Sequence, residues 1–324
     1  MTDLTTEHID LCADLREVVL PSLGRHAARA HAGVAVGGDV TFEIDEIAER
    51  HLERYLAERL PRWAAYSEDR GLQGAADPEV VLIVDPIDGT RPAAAGFESA
   101  CVSIAAARPA ATPVMDDVVA GVVQEIKSGD LFVAERGAGV VARRLDGAAL
   151  PLAPSPGTSL EGLFWNTGLR GRPLGLLSRA IEELVDASSV GGAVFELGSA
   201  TYALTRVLTG QLDAYVDIGP AIIAAWPATA AEFRRVGRGH VLCNSPYDLA
   251  AGWLLCREAG VPMTDADGSS LGARPLLGSD AGYQLACVAA GNETLHAALV
   301  DAVGRGIGRL AGYDDSGRRA RGES

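Results

Sequence analysis

The sequence has few of the features that are typical of nucleic-acid-binding proteins or membrane proteins. Lysine and arginine together number 28 against 43 acidic residues among 324, so the formal net charge is −15. A duplex-binding protein needs basic surface, and this balance argues against that class. No uncharged apolar run approaches the roughly 20 residues that span a bilayer. The N-terminal stretch lacks a cationic signal segment, so we expect a cytoplasmic protein with no membrane partner.

Cysteine is scarce, odd in number and scattered. The five cysteines show no CxxC spacing, so the sequence contains neither a disulfide framework nor a zinc signature. We expect reduced thiols in the core. Hydrophobic residues make up 48% and charged residues 22% of the chain, which is typical of a folded globular protein.

Hydrophobic periodicity changes along the chain. Strands dominate residues 1–155, with helices near the start and a glycine-rich segment at 33–41 that we predict to be a mobile loop. Helices and strands alternate over residues 156–312. We therefore predict two layered subdomains that share an interface, followed by a disordered tail at 313–324.

The segment Ile83–Thr90, IVDPIDGT, places two carboxylates three residues apart after an apolar run. Pro86 biases Asp85 toward extended backbone, so we predict that the strand ends at Asp85. Asp88 then lies close by at the carboxyl end of the strand, where α/β sheets usually bind ligands. Crowded carboxylates are costly unless a cation lies between them, and Mg²⁺ prefers such oxygens. Gly89 would let the backbone approach a phosphate at the start of a helix.

This segment resembles the signature of the inositol monophosphatase family, Mg²⁺-dependent and lithium-sensitive phosphatases. The superfamily includes fructose-1,6-bisphosphatases and 3′-phosphoadenosine-5′-phosphate phosphatases. Three further motifs occur in the family order, GGDVTFEIDEIAE at 37–49, AYSEDRG at 65–71 and PYDLAAGWLLCREAG at 246–260. Tyr247 replaces the usual tryptophan of the last motif. The resemblance covers about residues 5–305 and implies a layered αβαβα sandwich that combines α+β and α/β regions.

The resemblance also implies the site residues and their roles. It implies two or three Mg²⁺ ions, with Mn²⁺ as a substitute, and no organic cofactor. The metal ligands would be Glu68, Asp85, the carbonyl of Ile87, Asp88 and Asp248. Catalytic roles would fall to Asp45, Thr90 and Glu68. Substrate contacts would come from Asp88, Gly89, Thr90, Gly198, Ser199, Ala200 and Asp217.

Each acid also has a purely structural interpretation. Asp248 is well placed as the N-cap of the helix that follows it, a role it could combine with metal binding. Asp45 fits as an acid in the first turn of a helix, where the helix dipole favours negative charge. Asp217 is assigned through a neighbouring strand rather than through a signature of its own.

Two departures from the family pattern distinguish this chain. After DGT the family usually continues with x-Asn-Phe, whereas this chain reads DGTRPAAAGF. The span between Asp217 and Asp248 is also long. We predict a helical insertion over 219–246 near the substrate side, with Trp226 on its apolar face and a break at Pro227.

The sequence therefore favours hydrolysis of a small phosphate monoester, a cyclitol or sugar phosphate, by metal-activated water without a covalent phosphoenzyme. We expect a homodimer that binds a small phosphorylated substrate. A nucleotide 3′-phosphatase is an alternative and would need an aromatic slot, for which the candidates are Trp165, Trp226 and Tyr247.

Two more alternatives stay open. A bisphosphatase would use Arg170 and Arg172 for a second phosphate, or a basic cluster in the insertion would guide it. That cluster comprises Arg234, Arg235, Arg238 and His240. A non-catalytic regulatory homologue would require lost metal ligands, and every implied ligand is present in this sequence.

Overall fold

The computed structural model of the protein describes residues 3–311. Its helices are α1 Asp3–Val19, α2 Glu43–Arg59, α3 Thr90–Ala95, α4 Leu174–Ser188, α5 Ala200–Leu208, α6 Gly219–Ala225, α7 Ala230–Val236, α8 Pro246–Glu258 and α9 Glu293–Gly308. The strands of the first half are β1 His31–Val34, β2 Val40–Phe42, β3 Ala64–Ser67, β4 Gly71–Gly74, β5 Val81–Asp88, β6 Cys101–Ala107, β7 Val118–Glu125, β8 Leu131–Glu135 and β9 Gly139–Arg143. Those of the second half are β10 Phe164–Thr167, β11 Ala193–Phe195, β12 Ala214–Asp217, β13 Met263–Thr264 and β14 Cys287–Ala290.

The first half builds a seven-stranded sheet in the order β4-β3-β5-β6-β7-β8-β9. Strands β3 and β5 run parallel, and β5 to β9 follow one another in antiparallel pairs. All eight residues of β5 are buried, as expected for a strand that is covered on both faces. The pairing of β5 with β6 slips between Asp85 and Asp88. The two acids therefore lie at an irregular strand end.

The second half builds a five-stranded sheet in the order β11-β10-β12-β14-β13. Strand β10 pairs in parallel with both β11 and β12, whereas β14 is antiparallel to β12. The carboxyl ends of β10 and β12 therefore meet at one edge. Residues just after β10 and at the end of β12 face the same region.

The layers follow the order helix, sheet, helix, sheet, helix. Helices α1 and α2 pack on the outer face of the seven-stranded sheet, and α4 and α9 cover the outer side of the five-stranded sheet. Helices α5 and α8 lie between the two sheets and share one buried apolar cluster with them. The predicted αβαβα sandwich is confirmed.

Two local predictions are wrong. The segment 33–41 is not a loop throughout, because β1 and β2 form an antiparallel two-stranded sheet with a turn between them. Strand β5 does not end at Asp85 but continues to Asp88. A slip in the ladder accommodates Pro86, which has no N–H to donate. Asn292 caps the last helix, and its side chain accepts a hydrogen bond from the N–H of Leu295 at 3.0 Å.

The insertion at 219–246 is helical, as predicted. Helix α6 ends at Ala225, Pro227 opens a short 3₁₀ turn, and α7 follows. Phe233 of α7 is fully buried in the apolar cluster that includes the outer helix α9. The insertion is therefore an integral part of the second half rather than a peripheral loop.

Three further predictions concern the whole chain. The five cysteines are buried and none forms a disulfide in residues 3–311. No helix within that range is both long and apolar enough to cross a bilayer. The boundary near residues 155–156 stays a prediction, and the segment 313–324 lies outside the described residues.

Candidate active site

Three carboxylates meet where β5 ends and α8 begins. Asp85, Asp88 and Asp248 each offer a carboxylate oxygen, and these oxygens lie within 4.8 Å of one another. Asp85 and Asp88 come from the irregular end of β5, and Asp248 lies in the first turn of α8. The helix lies between the two sheets and brings Asp248 to the strand end. Asp248 thus joins two acids that lie 160 positions or more before it in sequence.

Backbone N–H groups hold each of these carboxylates in place. The N–H of Ile87 donates to Asp85 Oδ1 at 3.0 Å, and the N–H of Thr201 donates to Asp88 Oδ2 at 2.6 Å. The N–H of Ser245 donates to Asp248 Oδ2. Ser245, rather than Asp248, is the N-cap of α8, so the predicted cap position is wrong, but Asp248 at the third helical position completes a capping box with Ser245. These bonds fix the carboxylates and leave other oxygen lone pairs for a ligand.

No cationic side chain neutralises the cluster directly. Within residues 3–311, the ion pairs do not include Asp85, Asp88 or Asp248. Burial raises the pKa of Asp85 well above its ordinary value, and the nearby Glu68 and Asp88 charges add to that rise. Burial also raises the pKa of Asp248, again with help from the charge of Asp88. The cluster therefore lacks positive charge at its centre.

Glu68 and the Thr90–Asp45 pair lie beside these acids. Burial, followed by the charges of Asp248 and Asp69, raises the pKa of Glu68 well above its ordinary value. The hydroxyl of Thr90 donates to Asp45 Oδ1 at 2.8 Å and approaches the carbonyl oxygen of Ile87 at 3.2 Å. Burial, and then the charge of Asp69, raises the pKa of Asp45 to about 7. All three predicted catalytic residues thus reach one region.

A second set of hydrogen bonds supports the segment that carries Glu68. Glu49 of α2 accepts from the hydroxyl of Ser67 at 2.8 Å and from the N–H of Asp69 at 3.2 Å. The hydroxyl of Thr41 donates to Asp69. Burial raises the pKa of Glu49 to about 7. Helix α2 and strand β2 therefore fix the position of the acidic segment from one side.

A cavity of about 530 Å³ opens over the acids. Its polar wall comprises Asp39, Glu68, Asp85, Ile87, Asp88, Gly89, Thr90, Arg91, Glu98, Ser99, Arg170, Glu196 and Asp248. Its remaining wall comprises Pro92, Ala95, Phe97, Leu197, Gly198 and Tyr202. A small polar ligand with one apolar face fits such a lining.

The glycines predicted to contact substrate are required by the backbone. Gly89 has a φ of 95°, and a Cβ there would lie 2.5 Å from the carbonyl oxygen of Ser99. Gly198 has a φ of 74° and faces the ring of Pro92. These positive angles favour glycine, and both residues line the cavity.

Ser199 and Ala200 do not line the main cavity, unlike the two glycines. Ser199 is buried, and its hydroxyl caps α5 by accepting from the N–H of Tyr202 at 3.0 Å. Ala200 begins α5 and is buried. Both lie along a small side pocket that adjoins the main cavity.

Asp217 lies in the same side pocket, where it forms a buried ion pair with Arg172. Both Arg172 Nη2 and Nε donate to its carboxylate, the latter at 3.3 Å. The guanidinium of Arg172 also donates to the carbonyl of Leu242 at 3.0 Å. Asp217 is therefore tied to a protein cation, and Arg172 is held away from the main cavity.

The structure does not support the aromatic contacts that a nucleotide substrate would need. Trp165 is fully buried and donates to Ser188 Oγ at 3.0 Å, and Trp226 donates to the carbonyl of Ile307 at 2.9 Å. Tyr247 is buried in the core between the sheets. The predicted adenine slot from these three residues is wrong, because none of them lines the cavity.

The basic cluster of the insertion does not line the cavity either. Arg235 is paired with Glu232 at 2.8 Å, and Arg234 is exposed on the same short helix. His240 lies against Gly38 in the turn between β1 and β2. His240 thus approaches an element next to the site, whereas Arg234 and Arg235 stay exposed on helix α7.

Two residues of the site were missed by the sequence analysis. Thr201 joins the acids, because its N–H binds Asp88 and its hydroxyl donates to the carbonyl oxygen of Asp248 at 2.6 Å. No motif marks Thr201. Arg91 lines the cavity, and the unusual residue after DGT was the one available signal for it.

Comparisons with known proteins identify the family and the fold. The model of the inositol monophosphatase family matches residues 1–306. A relative from Xylella fastidiosa, called Nus factor SuhB, is 30% identical over 84% of this chain and 84% of its own. An inositol-1-monophosphatase from Mesorhizobium japonicum is 29% identical over 82% of this chain and 83% of its own. The solved IMPase structure from Thermotoga maritima has a TM-score of 0.67 at 21% identity, covering 95% of this chain and 99% of that one.

The chain therefore belongs to the inositol monophosphatase family, a family of phosphatases. That family is generally metal-dependent, and the donor set of this site fits a hard divalent cation. Two buried carboxylates and one half-buried carboxylate converge without a direct ion pair to a protein cation, and carboxylate oxygens are the ligands that Mg²⁺ prefers. A cation at this position would relieve both the burial and the mutual repulsion that raise the pKa values of the acids.

Proposed function

We propose that the protein hydrolyses a small phosphate monoester, most favourably a cyclitol or sugar phosphate, with Mg²⁺ as the required cation. The observation that carries the proposal is the convergence of Asp85, Asp88 and Asp248 within 4.8 Å. The ligand set would be completed by Glu68 and the carbonyl of Ile87. When bound, the ions would neutralise the phosphoryl oxygens and make a water more acidic. Mn²⁺ would serve as a substitute because it shares this preference for oxygen ligands.

The Thr90–Asp45 pair would orient and deprotonate the attacking water. The hydroxyl of Thr90 donates a hydrogen bond to Asp45. The lone pairs of the Thr90 oxygen are therefore available to accept a hydrogen bond, and then a proton, from water. With a pKa of about 7, Asp45 would accept a proton near neutral pH. The water oxygen would form the new bond to phosphorus as the bond to the leaving oxygen breaks, and that oxygen would take a proton from solvent to leave as the alcohol. A Glu68 carboxylate on the same wall would help to hold that water.

No covalent phosphoenzyme is needed in this scheme. The two acids of the strand are separated by two residues, whereas nucleophilic-aspartate phosphatases use Asp-x-Asp spacing. The N–H groups of Gly89 and Thr90 would bind the phosphate, and Asp88 would contact it through the cations. The side pocket formed by Gly198, Ser199, Ala200 and Asp217 would accept hydroxyl groups of the substrate.

The relatives' names support this choice of substrate. Besides the inositol-1-monophosphatases, a fructose-1,6-bisphosphatase/inositol-1-monophosphatase from Thermococcus kodakarensis is 28% identical over 80% of this chain. The cavity of about 530 Å³ has enough room for a phosphorylated ring. A non-catalytic regulatory role is disfavoured because the whole carboxylate set is retained.

The first test is hydrolysis of a substrate panel by the wild-type protein and Asp88→Asn. We expect Mg²⁺-dependent turnover of inositol 1-phosphate or a sugar phosphate by the wild type, with kcat at least about a hundredfold lower in the variant, because a charged ligand is lost. Asp77→Asn, an exposed acid outside the cavity, is the matched control. Wild-type turnover by Asp88→Asn at saturating Mg²⁺ would show that the site assignment is wrong.

Three further properties stay predictions. Lithium inhibition follows from the family resemblance and can be measured in the same assay. Light scattering tests the expected homodimer. Cell fractionation tests the expected cytoplasmic location.

A further inference from the structure

Two arginines converge on one carboxylate at the rim of the site cavity. The guanidinium of Arg170 pairs with Asp39 Oδ2. Arg91 Nη2 lies 3.1 Å from Asp39 Oδ1, and Arg91 Nη1 lies 3.4 Å from Oδ2. All three side chains line the same cavity as Asp88 and Asp248. Two guanidinium groups therefore share this cavity with the cluster of acids.

The three residues come from separate parts of the fold. Asp39 lies in the turn between β1 and β2, Arg91 in the first turn of α3, and Arg170 in the loop between β10 and α4. Because the segments are distant in sequence, their convergence depends on the tertiary structure. Local turn or helix chemistry would not bring them together.

The backbone at Arg170 is firmly anchored. The guanidinium of Arg172 donates to the carbonyl oxygens of Arg170 and Leu242 while it is paired with buried Asp217. The side chain of Arg170 nevertheless stays 37% exposed, and that of Arg91 is 42% exposed. A fixed backbone that presents an accessible cation is a suitable scaffold for recognition.

Charge also favours an anion at this position. Desolvation acts to lower the pKa of Arg170, but the charges of Asp39 and then Glu68 hold that pKa above its ordinary value. The wall also contains Glu98 and Glu196, and within residues 3–311 neither forms an ion pair with Arg91 or Arg170. Asp39 is therefore the one carboxylate that both guanidinium groups share. Arginine binds the paired oxygens of carboxylates and phosphates through its planar fork.

We propose that Arg170 and Arg91 bind a second anionic group of the substrate, which displaces the carboxylate of Asp39. The inference rests on the proposed phosphatase function and narrows its substrate class. The substrate is a small phosphate ester that carries a second oxyanion, either a phosphate or a carboxylate. The carboxylate of Asp39 already binds both guanidinium groups. A substrate oxyanion would therefore replace the ion pairs of Asp39 with ion pairs of its own.

The test uses two pairs of substrates that differ only in the second anion. The first pair is fructose 1-phosphate and fructose 1,6-bisphosphate, and the second is glycerol 2-phosphate and 2-phosphoglycerate. With Mg²⁺ present, we expect the wild type to have a higher kcat/KM for the two-anion member of at least one pair. Arg170→Gln should lower the ratio of kcat/KM within that pair about tenfold, which corresponds to one lost charge-assisted hydrogen bond.

Two further variants separate recognition from packing. Arg91→Gln should lower the same ratio, and it serves as the second variant if Arg170→Gln fails to fold. Asp39→Asn should lower KM for the two-anion substrate because the internal competitor loses its charge. Arg235→Gln, an exposed arginine outside the cavity, is the matched control and should leave the ratio unchanged.

The outcomes can be told apart. A response in the bisphosphate pair alone identifies a phosphate subsite, and a response in both pairs identifies a general oxyanion subsite. If the wild type hydrolyses all four esters with equal preference and Arg170→Gln changes both members of each pair equally, the ion pairs are purely structural and the inference is wrong. If the wild type hydrolyses none of them, nor any ester of the wider panel, the proposed phosphatase function fails as well.

Discussion

Individual side chains of this site would destabilise the fold if nothing bound them. Asp45 and Glu49 both have pKa values of about 7 because of burial. A group whose pKa is raised in the folded state stabilises the fold at low pH and loses that contribution as pH rises through the folded pKa. The carboxylate region therefore works against folding near pH 7 in the absence of a cation. Sites that sacrifice stability in this way are typically functional.

His8 has the opposite dependence on pH and gives a residue-scale prediction. It is buried in α1 against Trp63, with ring centroids 5.6 Å apart, and burial lowers the pKa of His8 from 6.5 to about 4. Between these values the unfolded chain binds the proton and the folded chain does not. Stability from neutral His8 is thus present above pH 6.5 and is lost as pH falls toward 4.

We expect the His8→Leu variant to lack this loss of stability at low pH. Between pH 7 and pH 4.5 the free energy of unfolding of the wild type should fall by about 2–3 kcal/mol more than that of the variant. Denaturant unfolding at a series of pH values measures the difference in the free energy of unfolding between the two proteins. The other titratable groups are common to both proteins, so their contributions cancel in that difference. Parallel curves for the two proteins would show that His8 does not titrate in this range.

Residue roles could be predicted only where a motif carries them. The sequence named Asp85, Asp88 and Asp248, and the structure brings them together. It did not reveal Thr201, because the backbone N–H that holds Asp88 has no signature in sequence. The Asp39 ion pairs were also hidden, since they depend on three segments that only the folded chain brings into contact.

Elements were predicted best where periodicity is strong. Helix α2 buries a regular apolar stripe of the kind that periodicity detects. Strand β1 was missed because its side chains are all exposed, which leaves no alternation of apolar and polar residues to detect. Strand β5 was shortened because Pro86 normally ends such a run, whereas here a slip in the ladder accommodates it.

The insertion provides an element-scale prediction. Phe233 of α7 is fully buried among residues of the second half, whereas the adjacent Arg234 is exposed. Phe233→Ala should lower the free energy of unfolding by about 3–5 kcal/mol through the cavity it leaves. Arg234→Ala is the matched control and should change it by about 0.5 kcal/mol or less.

Denaturant titration of both variants measures this difference. A loss under about 1 kcal/mol for Phe233→Ala would mean that the insertion contributes little to the core. The same two proteins should be assayed for phosphatase activity. A selective effect of Arg234→Ala on two-anion substrates would restore the idea that the insertion guides the substrate.

At the scale of the whole molecule, the layers explain why one site can be built from distant segments. Helix α8 is apolar on nearly all sides and lies between the two sheets, as expected for a helix buried throughout. Its first turn places Asp248 at the end of β5, and α5 brings the N–H of Thr201 to the same point. The αβαβα order could be inferred from family resemblance, but the packing of α5 and α8 against both sheets could not be read from sequence alone.

The most direct test of the central claim is the anomalous diffraction of a crystal soaked with Mn²⁺ and phosphate. We predict at least two cation peaks separated by about 3.5–4 Å, the usual distance in two-metal phosphoryl-transfer sites. Asp85 should bridge them, with Asp88, Asp248 and Glu68 as further ligands and phosphate in contact with both ions. An ordered phosphate and strong Mn²⁺ peaks found only away from these carboxylates would contradict the account.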